Sequence, residues 1–89
     1  MPITKSSQQL VAEALAQVKT YSVAEAVERM KSPHTQMVDI RDVRELQLQG
    51  TVVNAFHAPR GMLEFWVDPA SPYFKPPFAD ESKEFILFC

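Results

Sequence analysis

Cysteine and glycine are scarce in this chain: of 89 residues, one is Cys and two are Gly. A single cysteine makes no internal disulfide, which fits a reducing compartment and an expected cytoplasmic location. Gly50 and Gly61 are too few for a phosphate-cradling glycine loop. One cysteine and two distant histidines lack the ligand spacing of a zinc site, so no metal is expected. Basic residues are outnumbered, nine Lys and Arg against eleven Asp and Glu, with a net charge of -2. They are also scattered, which excludes a phosphate-tracking groove and leaves no expected nucleic-acid partner. No apolar run reaches the roughly 18 residues of a membrane span. The polar start, Met1 to Gln9, is not followed by the apolar segment of a signal peptide.

What is present is ordinary for one small folded domain: 46% hydrophobic, 22% charged and 10% aromatic residues. Leu10, Val11, Ala14, Leu15 and Val18 recur at helical spacing and predict a helix over 6–19. Ser6 with Gln9, and Ser22 with Glu25, have the form of capping boxes, so a second helix starts at once. Ser32-Pro33 ends it. Met37 to Ile40 predicts a buried strand, 41–46 a short helix, and Val52 to Phe56 a second strand. Met62 to Val67 predicts a short helix. Asp68 to Phe78, with four prolines, predicts a stiffened loop.

Phe85-Ile86-Leu87-Phe88-Cys89 is continuously apolar, which suits a central parallel strand covered on both faces. Helix and strand alternate, the pattern of an α/β fold. With Cys89 as terminus the face of this strand would be poorly covered, so the natural protein is expected to continue.

Cys89 is the candidate for chemistry. In open α/β sheets ligands bind outside the carboxyl ends of the strands. A thiol there faces a loop whose N–H groups favour an anion. On position alone, a buried, inert cysteine is the commoner outcome. Asp39 sits in an apolar run and needs partners, because a buried carboxylate costs several kcal/mol unless it is paired. Arg41, two residues on, points to the same side of a strand. A structural pair, or a cap on the next helix, is favoured over catalysis for Asp39. His57 and Arg60 flank Pro59 and either bind an anionic substrate or hold the turn. Phe65 and Trp66 are expected to pack, or to wall a pocket.

Several segments together resemble one family. Val38-Asp39-Ile40-Arg41-Asp42-Val43-Arg44-Glu45 is similar to the first-strand motif of rhodanese-like domains. The stretch from Gly50 to Gly61 resembles their second motif, with Val53-Asn54 in place of Pro-Gly. Met62 to Pro69 and Ser71-Pro72-Tyr73 look like a subgroup of single-domain bacterial rhodaneses. Phe85 to Cys89 resembles the strand that delivers the catalytic cysteine. The family's loop after that cysteine, Cys-x-x-x-x-Arg, is not in the sequence.

The resemblance implies a central, mainly parallel sheet flanked by helices on both faces, incomplete in this chain. Residues 1–21 would be an N-terminal helical extension and 22–89 the domain. It implies a thiosulfate sulfurtransferase: Cys89 takes the outer sulfur of a donor such as thiosulfate as a persulfide, and a thiol or cyanide acceptor removes it. No cofactor beyond that persulfide is implied, and the partners are small molecules. Asp39, Arg41, His57 and Arg60 are then the supporting or substrate-binding residues. Two alternatives stand beside this: a phosphatase or arsenate reductase on the same fold, with a loop one residue longer, and a non-catalytic interaction module.

Overall fold

A computed structural model describes residues 4–89. Three strands make one parallel sheet in the order β2-β1-β3: β1 is Thr35–Asp39, β2 is Phe56–His57 and β3 is Glu84–Phe88. The fold is α/β. Helices α1 (Ser7–Gln17), α2 (Val23–Arg29), α3 (Val43–Gln49) and α4 (Leu63–Val67) complete it, with 3-10 turns at Arg60–Met62 and Pro76–Ala79.

The helix starts are set by side chains that accept orphan amides. Ser6 accepts from the amide of Gln9 and opens α1. Ser22 and Glu25 form a reciprocal capping box at α2. Asp42 accepts from the amide of Arg44 and opens α3. Each satisfies an N–H that the first helical turn leaves unpaired.

The pleat separates the side chains of the sheet into two faces. Met37 and Ile86 share one face, bordered by Val23 and Ala26 of α2 around a cleft of about 580 Å³. Phe56 and Phe85 share the other. There Phe78 stacks edge-on to Phe56 at 5.4 Å and tilted on Phe85 at 5.3 Å, and Trp66 of α4 meets Phe56 at 6.2 Å. Such aromatic pairs add directional contact to the area they bury.

Three expectations change. The middle strand is β1, and β3 stands at an edge among the described residues. Val38 is fully buried while Leu87 of β3 is 47% exposed, so β3 is not covered on both faces. The second strand is two residues long and starts at Phe56. Val52 to Ala55 turn instead, with Asn54 at φ 64 and the Ala55 amide donating to the Val52 carbonyl. A left-handed residue cannot continue a strand. Among the described residues the buried hydrophobic ones are Met37, Val38 and Ala58. The radius of gyration is 14.7 Å, whereas a compact chain of this length has about 12 Å.

Candidate active site

The carboxyl ends of the three strands bring the sequence candidates to one edge. Asp39 closes β1, His57 closes β2 and Cys89 follows β3. Asp39 is in register with His57 on one side and Phe88 on the other. The Ile40 amide donates to the Phe88 carbonyl at 3.0 Å, so Cys89 leaves the sheet beside the Ile40–Arg41 peptide. Its thiol is free and exposed.

Asp39 is fully buried and charged. Four donors compensate it: the Arg41 amide at 3.0 Å, Arg41 Nε at 3.1 Å, Arg41 Nη2 at 2.8 Å and Thr51 Oγ1 at 2.6 Å. No buried side-chain polar atom among the described residues lacks a partner. The Arg41 guanidinium holds the Asp39 carboxyl well below the usual carboxylate range; burial opposes this, and Thr51 adds to it. The same bond raises Arg41 above its ordinary value. Arg41 Nη2 also donates to the Gly50 carbonyl at 2.7 Å, which ties the end of α3 back to β1. Asp39 is thus paired with Arg41, and the cap on α3 belongs to Asp42.

His57 Nε2 lies 2.7 Å from the Arg41 carbonyl. A carbonyl oxygen only accepts, so Nε2 is the donor in this bond. His57 thus fastens β2 to the loop after β1. Arg60 is only half in this assembly. Its amide donates to the Ile40 carbonyl at 3.1 Å. Its guanidinium instead pairs with Glu64 one helical turn on, with both side chains largely exposed. The structure does not bring the Arg60 side chain into the Asp39 network.

Thr51 is the functional neighbour that residue patterns missed. A threonine after a glycine has no motif of its own. The signal available was Asp39 itself: the fork of one arginine meets a carboxylate with two donors, and a buried carboxylate has lone pairs left over. Phe65 and Trp66 separate in role. Trp66 packs on Phe56 under the Lys75 ammonium, 4.9 Å from its ring, while Phe65 is 49% exposed and meets Tyr73. Among the described residues no cluster of His, Cys, Asp and Glu is placed to hold a metal ion, and no helix is long and apolar enough to cross a membrane.

No family model and no curated protein matches the chain. A solved structure does: a protein of unknown function and possible tyrosine phosphatase from Rhodopseudomonas palustris CGA009. It is 41% identical, with a TM-score of 0.89, over 100% of this chain and 68% of that one. The chain belongs to that protein's family.

Proposed function

We propose that Cys89 is the nucleophile of a cysteine-dependent phosphatase. The observation that carries the reading is the position of the thiol: free, exposed, and at the carboxyl edge of a parallel sheet, where ligands of open α/β folds bind. The description of the relative as a possible tyrosine phosphatase favours phosphate esters as substrates. The thiolate would attack phosphorus, forming an S–P bond as the ester P–O bond breaks. The leaving oxygen takes a proton, and water then cleaves the S–P bond to return the thiol and inorganic phosphate. Asp39, Arg41, Thr51 and His57 brace the peptide beside the sulfur rather than touch the phosphoryl group.

Sulfur transfer is the second reading, supported by the resemblance of the stretch Gly50 to Gly61 to the rhodanese-like motif. The rhodanese-like motif that the stretch Gly50 to Gly61 resembles has glycine where Asn54 stands, and Asn54 adopts the left-handed φ of 64 that such a glycine supplies.

One experiment separates the two. The full chain is incubated with p-nitrophenyl phosphate and, separately, with thiosulfate, and its intact mass is followed. Release of nitrophenolate that Cys89→Ser abolishes supports the phosphatase. A gain of one sulfur on Cys89, removed by cyanide, supports the sulfurtransferase. A folded chain with an accessible thiol that does neither is an interaction module, and both enzymatic readings fail.

A further inference from the structure

We propose that α1 of one copy of this chain lies in the apolar cleft of a second copy, in a reciprocal exchange that makes a dimer. The inference rests on α1 and the cleft and assumes nothing about Cys89.

α1 has an apolar face without cover. Leu10, Val11, Ala14, Leu15 and Val18 recur at helical spacing, yet the helix has no buried residue and every residue from 4 to 20 is exposed. The four large side chains of this stripe, Leu10, Val11, Leu15 and Val18, are 53%, 58%, 55% and 60% exposed, so more than half of each is left for a partner. With 11 residues, α1 is also shorter than the roughly 12–15 at which a lone helix is even marginal in water. It needs a surface to pack on.

The cleft on the Met37–Ile86 face is such a surface. It has about 580 Å³ and an apolar wall of Val23, Ala26, Met37 and Ile86. All of β3 lines it, and five residues of strand span roughly 16 Å. The 11 residues of α1 span the same roughly 16 Å. The stripe carries no charge, and the carboxylate on the cleft wall, Glu84, is met by Arg29 and Tyr21.

α1 does not cover the cleft of its own chain. Val18, its C-cap, is extended at φ -118 and ψ 152 and carries the helix outward. Three residues on, Tyr21 is held to Glu84 at 2.6 Å, and both line the cleft, so the segment leading from α1 is clamped at the rim. A short hinge of this kind favours exchange between copies over folding back.

Area decides between an exchange and a simple pairing of two α1 helices. At roughly 80 Å² per large apolar side chain, four such side chains and an equal facing surface hide roughly 600 Å². Two α1 helices packed on each other stop there, below the roughly 1,000 Å² a stable interface must clear. Two reciprocal helix-in-cleft sites reach about 1,200 Å².

Light scattering on the full chain tests this. It should weigh as two chains at on the order of 100 μM and as one on dilution, as suits an interface near the lower size limit. Leu15→Lys on the stripe and Ala26→Arg in the cleft should each leave single chains at every concentration. Ala16→Lys, on the opposite side of α1, should leave the dimer intact. Single chains in the wild type overturn the proposal, a result that needs no variant. So does a dimer that survives Leu15→Lys, or one that Ala16→Lys also dissolves. A dimer lost in Leu15→Lys and kept in Ala26→Arg would be α1 on α1, and overturns the exchange. None of these outcomes depends on turnover of a phosphate ester, so failure here is distinct from failure of the phosphatase reading.

Discussion

Thr51 Oγ1 donates to Asp39 Oδ2 at 2.6 Å, closing the fourth side of a carboxylate that Arg41 holds on the other three. The consequences are unequal for the three residues. Thr51→Val removes a hydrogen bond to a buried charge and is expected to cost about 1.5–3 kcal/mol. Arg41→Gln leaves that charge unpaired and is expected to cost about 3–5 kcal/mol. Urea denaturation of the three proteins checks the order. A Thr51→Val protein less stable than Arg41→Gln would contradict it.

The same carboxylate sets an acid limit. Its folded-state titration lies below the unfolded value of about 3.9. The stabilisation it gives is therefore complete above that unfolded value and is lost as pH falls toward the folded one. Asp39→Asn should flatten the loss of stability below about pH 4. The check is denaturant midpoints measured from neutral pH downward. Equal slopes in the two proteins would mean that other acids carry the acid sensitivity.

Gly50 and Asn54 have positive φ for different reasons. Gly50 ends α3 at φ 74 and ψ -175, a region nearly closed to side chains, although nothing lies within 4 Å of a Cβ placed there. Gly50→Ala is therefore a pure backbone cost, on the order of 1–3 kcal/mol. Asn54 at φ 64 is in the left-handed region that asparagine tolerates, so Asn54→Gly should change stability by only a few tenths of a kcal/mol. Thermal melts of both variants test this. Equal destabilisation by the two would be the wrong answer.

Tyr21 links the segment before α2 to the start of β3 through its hydroxyl, which donates to Glu84 Oε2 at 2.6 Å. The bond to Glu84 raises the phenol above its ordinary value, with burial adding and the charge of Arg29 opposing. The bonded form is the neutral phenol. Its contribution is present below the unfolded value of about 10 and is lost as pH rises through the folded one. The difference in absorbance near 295 nm (wild type minus Tyr21→Phe) should place Tyr21 ionisation later than in Glu84→Gln. An earlier or equal midpoint in the wild type would show that the bond does not persist in solution.

The parts of this fold that were legible in the sequence are those governed by local chemistry. Ser22 and Glu25 announce their capping box because both partners lie within one helical turn. Asp39 announces a pairing because nothing else makes a carboxylate tolerable in an apolar run. The order of the strands was not legible. The apolar run Phe85 to Phe88 looks more central than Thr35–Asp39, yet β1 takes the middle, paired with β2 on one side and β3 on the other, both of which follow it in the chain. Arg60 misled for a related reason. Its neighbours His57 and Pro59 are at the site, but a 3-10 turn over Arg60–Met62 carries its side chain to Glu64. Thr51 was silent because its role is defined by a residue twelve positions earlier.

The position of β1 also orders the assembly of the site in time. Asp39 meets His57 across 18 residues, the difference of their numbers, whereas it meets Phe88 across 49. The β1–β2 side, with Arg41, Thr51 and His57, closes through a short loop and is cheap to form early. The β3 side must wait for the longer closure. Loop length alone thus favours closing the brace before the sulfur of Cys89 is brought to it.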